Sequence, residues 1–184
     1  ITQISFNFIA TLLPVFTVQA LGWTNLEYSQ FFATASLIGG IGGMLIGGIL
    51  IDKFGKIRML NVYFFILIML TTVFPFLNMY WKNYWVISSF MVIYQILYVF
   101  TSIGLFACAM EFCWKKISAS QFTLYMTIAN LGRIVGAKLL GPLKNLLSWE
   151  YTICSFGVML ALAWIIIKIN IHVKKIEELE MKNA

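Results

Sequence analysis

The chain has 184 residues, of which 61% are hydrophobic and only 11% are charged, and its mean hydropathy is +0.88. A soluble domain of this size has too little interior to bury that much apolar surface, so we expect an all-α membrane protein that contacts the lipid bilayer. The net charge of +6 does not come from a basic patch interleaved with aromatic residues. We therefore expect no nucleic-acid partner.

Six segments are apolar and long enough to cross a bilayer, which takes about 20 helical residues. The predicted spans lie at about 1–21, 24–51, 58–79, 84–112, 118–141 and 151–169, so residues 1–171 form one six-helix membrane domain. Residues 172–184 are charged and are predicted to form a cytoplasmic tail that continues the last helix. Because the chain starts with Ile rather than Met, we expect it to be a fragment.

Two segments carry helix-start signals. Thr24 with Glu27, and Ser118 with Gln121, have the three-residue spacing of a capping box, in which the two residues satisfy each other's backbone N–H groups. We predict that helices begin at both places.

The loop charges predict the orientation. One side holds nine cations and the other side two, and cytoplasmic loops are the ones enriched in Lys and Arg. Both ends should therefore lie in the cytoplasm and the chain in the inner (plasma) membrane. The cations of the richer side are Lys53, Lys56, Arg58, Lys115, Lys116, Lys168, Lys174, Lys175 and Lys182, and those of the other side are Lys82 and Lys144.

Three of the spans have a polar stripe at helical spacing, whereas spans three and six are apolar all round and should face lipid. A polar stripe within a membrane should face protein or a water-filled cavity. The stripes predict a hydrated path lined by spans one, four and five. The residues expected to line it are Gln3, Asn7, Tyr94, Gln95, Tyr98, Asn130 and Arg133.

Arg133 is the most informative charge within a span. It stands 15 residues after Ser118, about 22 Å along the helix at a rise of ~1.5 Å per residue. No carboxylate of the chain is predicted at that depth. Its counter-charge then comes from a missing half of the protein, a substrate anion or backbone carbonyls, or else the side chain extends to the headgroups. Both interpretations stay open.

Glu111 lies near the inner end of span four, and Lys115 follows at i+4. An ion pair between them is the favoured interpretation, and a proton-carrying role for Glu111 is the alternative.

Small residues recur every four positions in two spans. Such small-xxx-small ridges let another helix approach closely, so we predict helix packing there. The ridges are formed by Gly39, Gly43 and Gly47 in span two and by Gly132 and Gly136 in span five.

The loop between spans two and three reads G-x3-D-K-x-G-K-x-R and packs four charges into seven residues. Gly55 can take the positive φ that so short a turn needs. This spacing resembles the loop motif of the major facilitator superfamily, and the order of polar and apolar spans resembles one six-helix half of such a transporter. The resemblance implies a gating role for the motif residues, Gly48, Asp52, Lys53, Gly55, Lys56 and Arg58. Asp52 would meet the N-terminal end of a helix across the seam between the halves.

The segment from Lys116 to Arg133, which follows Cys113, is similar to the F-S-A-T-Q-F/Y…L-G-R segment of AmpG-type muropeptide permeases and their acetyl-CoA transporter family. The resemblance places the chain in the C-terminal half of such a protein. It implies a secondary active transporter that takes up anionic cell-wall fragments with protons by alternating access. The implied partners are an N-terminal six-helix half, a small anionic solute and protons.

No residue pattern indicates an enzyme, a cofactor or a metal site. The one histidine, His172, lies in the tail, and the three cysteines, Cys108, Cys113 and Cys154, lack metal-ligand spacing. The alternatives are an exporter of drugs or metabolites, a membrane sensor or scaffold on the same fold, and a six-span homodimer that is complete in itself.

Overall fold

The computed structural model describes residues 1–114 and 116–183, with backbone only for Met44 and for residues 171–183. Within these ranges the chain folds into long helices without a strand, which confirms the all-α membrane fold. The side chains of the predicted tail, His172 among them, and the whole of Lys115 lie outside the described residues.

The helices follow one another through short connections and are numbered here in chain order. A π turn over Gly43–Gly47 interrupts the second helix, and a 3-10 segment, Phe74–Tyr80, ends the third. The helices are α1 Thr2–Gln19, α2 Asn25–Phe54, α3 Lys56–Tyr80, α4 Tyr84–Glu111, α5 Ser118–Leu146 and α6 Trp149–Asn183.

Among the described helices, four are long and apolar enough to cross a membrane by themselves: α2, α3, α4 and α6. The other two of the six predicted spans, at about 1–21 and 118–141, form helices α1 and α5. Helices α1 and α5 fall short because polar side chains interrupt their apolar sequence, Asn7 in the first and Arg133 and Lys138 in the second.

Helix α5 runs five residues beyond its predicted end at 141. Pro142 lies inside it, because a proline removes one backbone hydrogen bond without always ending a helix. Helix α6 begins at Trp149 and continues as one helix past residue 171, as expected for a tail that continues the last helix.

The two predicted capping boxes have different outcomes. The first is confirmed: Thr24 Oγ1 accepts from Glu27 N at 3.1 Å, and Thr24 N donates to Glu27 Oε2 at 2.7 Å. The second is wrong, because α5 begins at Ser118 after an N-cap Ile117 that forms no side-chain hydrogen bond. Gln121 instead accepts a hydrogen bond from Trp114 N at 2.8 Å, which holds the preceding turn.

The core forms around α1, whose Phe8, Leu12 and Phe16 are fully buried. Helix α1 packs mainly on α5 and then on α6, while α4 packs between α2 and α3. Helices α2 and α5 are the least covered: in α5 only Gly136 and Leu140 are buried among its described residues. These two helices therefore present most of the open surface of the bundle.

Helix α3 is lipid-facing on one side only. Phe64 and Leu67 are buried, whereas Phe65 and Met69 on the opposite face are about half exposed. Spans three and six are predicted to face lipid, and each has only one side available for this, because the two helices pack on each other.

Candidate functional site

The loop between α2 and α3 is a single residue. Gly55 has a φ of +89° and its N–H donates to the carbonyl of Ile51 at 2.9 Å, which confirms the predicted glycine turn. Because the turn is so short, the charged residues on both sides of it project from the ends of two helices. Asp52 and Arg58 are both exposed, and neither forms a salt bridge within the described part of the chain.

The loop motif contacts the inner end of α4 through an ion pair. Lys56 Nζ lies 3.5 Å from Glu111 Oε2, and the two side chains are 44% and 54% exposed. A cleft of about 380 Å³ separates the motif from α4, and its charged lining residues are Asp52, Lys56, Arg58 and Glu111. An ion pair this exposed contributes only about 0–1 kcal/mol, so it can open and close readily.

Glu111 has a described ion-pair partner other than the predicted Lys115, and the predicted pair itself is untested. Helix α4 ends at Glu111, so the i+4 spacing to Lys115 is not a spacing along one helix. Lys115 itself lies outside the described residues, and the partner that the structure gives is Lys56, 55 positions earlier in the chain. The ion-pair interpretation holds for Glu111 with this different cation.

The polar stripes of α1 and α5 meet where the first two turns of α1 pack on the middle of α5. Asn7 Nδ2 donates to the carbonyl oxygen of Arg133 at 2.6 Å, and Arg133 Nε donates to Gln3 Oε1 at 3.3 Å. Arg133 stands near the centre of α5, which extends almost equally far on both sides of it. Among the described residues, its guanidinium has no carboxylate within salt-bridge distance.

The remaining polar residues of α5 continue this stripe. Asn130 is exposed one turn before Arg133. Thr123 and Thr127 donate to carbonyls four residues earlier in their own helix, at 2.9 and 3.0 Å. The threonines are thus satisfied locally, so Asn130 and Arg133 are the side chains of the stripe with unused hydrogen-bonding capacity.

The predicted path residues of α4 lie inside the bundle. Tyr94 is 3% exposed and Gln95 7% exposed, and Tyr98 stacks on Tyr94 with ring centroids 6.2 Å apart. Tyr98 also meets Phe6 of α1 edge to face at 4.9 Å. This placement differs from the expected open path, because the aromatic rings of this face fill the seam between α1 and α4.

The family model of the Major Facilitator Superfamily matches residues 1–137. The match includes the whole loop motif and all three members of the α1–α5 polar contact, and it covers well over half of the chain. The chain belongs to the Major Facilitator Superfamily. No curated protein and no solved structure matches it. The superfamily confirms a multi-pass membrane protein and a transporter in general, while the AmpG-type resemblance stays a prediction.

The glycine ridges of this facilitator chain lie at its closest helix contacts. A Cβ added to Gly136 would overlap the carbonyl oxygen of Ile4, and one added to Gly132 would lie 3.4 Å from the Gln3 side chain. In α2, a Cβ at Gly39 would lie 3.1 Å from Gln95, and those at Gly43 and Gly47 would meet two side chains of α4, Val99 and Phe100. The ridges thus bring α5 against α1 and α2 against α4.

Two polar features were not predicted. Asn61 of α3 accepts a hydrogen bond from Trp164 Nε1 of α6 at 2.7 Å. Asn61 is a single polar residue in an apolar segment, so no periodic pattern in the sequence predicts this contact. On α2, Gln30 and Thr34 are exposed on the same face as Glu27. Their i, i+3, i+7 spacing is a helical stripe that the sequence does contain.

Proposed function

We propose that the protein is a secondary active transporter that works by alternating access, and that Arg133 binds an anionic group of its solute. The observation that carries this proposal is the guanidinium near the middle of α5, held by Gln3 and without a carboxylate among the described residues. A charge placed centrally in a membrane helix is costly, which favours a functional role for it.

The α1–α5 contact supports binding because it fixes the arginine. Gln3 occupies the Nε–H of Arg133, and the guanidinium has four further N–H donors that suit the planar geometry of a carboxylate or phosphate. Asn7 holds the Arg133 backbone, so the position of the whole residue depends on α1. A solute that binds here would therefore sense any relative movement of α1 and α5.

The loop motif supports the gating part of the proposal. The Lys56–Glu111 pair joins the α2–α3 turn to the inner end of α4, and it is weak enough to break in each transport cycle. Asp52 is exposed and available to the helix end of a second six-helix half. We propose that these contacts close the cytoplasmic side when the site opens outward.

The substrate class follows the AmpG-type resemblance: an anionic cell-wall fragment taken up across the inner membrane with protons, with both ends of this chain in the cytoplasm. Arg133 supports the anionic part of this proposal. Since Glu111 is paired with Lys56, it is the less suitable proton carrier, and we place proton binding in the N-terminal half.

The decisive experiment measures uptake of labelled muropeptide by the full-length protein in proteoliposomes with a proton gradient. Arg133→Ala should abolish uptake and binding, whereas Lys138→Ala, which removes an exposed cation from the same helix, should leave both nearly unchanged. Equal loss in both variants would contradict a specific anion site. Outward transport instead of uptake would identify the exporter.

Glu111→Gln is the second arm of this experiment. If Glu111 is a gate residue, the variant slows uptake but keeps the proton-to-solute ratio. Loss of proton coupling with intact downhill transport would instead make Glu111 the proton carrier. If no solute in a broad panel changes the melting temperature of the protein, the result would favour the alternative function, a membrane sensor or scaffold.

A further inference from the structure

A second polar pocket lies at the end of the bundle opposite the loop motif. It has a volume of about 520 Å³ and opens between the α1–α2 turn, the first three turns of α2 and the start of α4. Its lining residues are Trp23, Glu27, Gln30, Phe31, Thr34 and Tyr84. None of the residues that line the α1–α5 contact belongs to it.

Local turns place its aromatic wall. Gly22 has a φ of +75°, and the N–H of Trp23 then donates back to the carbonyl of Thr17 at 3.1 Å, which folds the Trp23 ring over the start of α2. Asn83 caps α4 by accepting from Trp85 N at 3.0 Å, which sets Tyr84 in the first turn. The turn and the cap therefore hold the two rings from opposite sides.

Three rings pack together in this wall. Trp23 and Tyr84 stack with centroids 5.6 Å apart and an interplanar angle of 26°. Phe31 meets both of them edge to face, at 5.8 and 6.3 Å. The Tyr84 side chain remains 54% exposed, so an aromatic surface is open to a ligand.

The charge in the pocket is a single fixed carboxylate. Glu27 Oε2 accepts two hydrogen bonds from Thr24, from its N at 2.7 Å and its Oγ1 at 2.9 Å. These bonds leave Oε1 for a ligand and restrict the side chain to one position. No Lys or Arg lines the pocket, so its charge attracts cations and repels anions.

The α2 wall of the pocket is polar although α2 is apolar enough to span a membrane. Gln30 and Thr34 are exposed on that wall, and polar side chains in membrane helices face protein or water rather than lipid. This stripe indicates that the pocket is hydrated and reachable from solution.

We propose that this pocket binds an organic cation, a substituted ammonium group, against the Tyr84 and Trp23 rings with Glu27 as its counter-charge. Aromatic faces attract ammonium groups through the ring quadrupole, and a nearby carboxylate adds direct attraction. The ligand chemistry is opposite to that of Arg133, so this is a second site that does not depend on the proposed anion transport.

The wild-type protein alone tests the ligand class. Full-length protein in nanodiscs is titrated with phenyltrimethylammonium and with tert-butylbenzene, its neutral isostere, and binding is measured by saturation-transfer NMR. Saturable binding of the cation, at least about tenfold tighter than any specific binding of the isostere, is expected from an ammonium site. Equal binding of the two compounds would overturn the proposal.

Variants then locate the site. Glu27→Gln keeps a side chain that can still cap α2 and should weaken cation binding about tenfold, the effect of losing ~1.4 kcal/mol. Glu150→Gln removes a carboxylate from the first turn of α6, outside the pocket, and should leave binding unchanged. Tyr84→Leu should weaken binding and Tyr84→Phe should preserve it.

The Arg133→Ala protein separates this proposal from the transport site. It should bind phenyltrimethylammonium as the wild type does, whatever happens to anion transport. Cation binding that is lost in Arg133→Ala and retained in Glu27→Gln would overturn the pocket proposal and leave the Arg133 proposal to its own test.

Discussion

At the scale of single residues, Arg133 takes its position from the opposite helix. Gln3 pairs with its side chain and Asn7 with its backbone, so three polar residues from two helices form one unit. In the sequence, this unit was visible only as two polar stripes at helical spacing, one in each helix. It did not contain the pairing of Glu111 with Lys56, since no local spacing connects residues 55 positions apart.

The Asn7 hydrogen bond should contribute modestly to stability. Asn7→Ala removes the bond to the Arg133 carbonyl and should lower the free energy of unfolding by about 0.5–1.5 kcal/mol, the usual net worth of one hydrogen bond. Thr11→Val is the control, because Thr11 Oγ1 bonds only within α1, to the carbonyl of Asn7. Reversible unfolding in mixed micelles measures both, and an equal loss in the two variants would contradict a specific role for Asn7.

The Lys56–Glu111 pair should affect transport more than stability. Lys56→Glu places two carboxylates together and should slow uptake several-fold, and adding Glu111→Lys should restore it by reversing the pair. In a double-mutant cycle the coupling should be about 0–1 kcal/mol and should shrink in high salt. Lys82→Glu is the control, since Lys82 is an exposed cation outside the loop motif and has no described acidic partner. A swapped protein as slow as Lys56→Glu alone would exclude the pair as a gate.

At the scale of helices, close approach sets the architecture. Helix α5 reaches α1 where Gly136 leaves room for the backbone of Ile4, and α2 reaches α4 along Gly39, Gly43 and Gly47. The ridges were visible in the sequence because a four-residue repeat of glycine is rare by chance. The sequence did not show which helix each ridge would contact, because small residues permit close approach without specifying the partner helix.

Alanine at Gly136 should destabilise the α1–α5 pair. Its Cβ would overlap the Ile4 carbonyl, so the helices must move apart, at a cost of about 1–3 kcal/mol. Gly141→Ala is a matched control in the same helix, because nothing lies within 4 Å of the added atom there. The melting temperature in detergent should fall for the first variant and stay equal or rise for the second. An equal fall in both variants would contradict a packing role for Gly136, because alanine has the higher helix propensity and should not lower the melting temperature at the open Gly141 position.

At the scale of the whole molecule, the sequence predicted the class of fold and the superfamily, because apolar periodicity and the loop motif depend on local order alone. The burial of Tyr94 and Gln95 could not be read in this way. A stripe of tyrosines has the same spacing whether it lines a cavity or fills a seam, and only the packing of Phe6 and Phe156 against it decides. The predicted site residues on α1 and α5 contact each other, whereas Tyr94 and Gln95 on α4 are buried inside the bundle.

Orientation in the membrane remains a prediction and can be tested with cysteine labelling. The background has every native cysteine replaced by serine, Cys108, Cys113 and Cys154 among them. In it, Lys82→Cys should react in intact cells with a membrane-impermeant maleimide, and Lys53→Cys should react only after lysis. The expectation follows from the excess of cations around Lys53. The reverse pattern would place the loop motif outside the cell.

The α1–α5 contact also bears on how the protein is made. Neither helix is apolar enough to qualify as a span by itself, and an arginine near the helix centre disfavours insertion by roughly 2.5–3.5 kcal/mol. Their mutual hydrogen bonds join residues 126 and 130 positions apart, so α1 leaves the ribosome long before α5 is synthesised. We therefore expect the α1–α5 contact to stabilise both helices in the bilayer only once α5 has been synthesised.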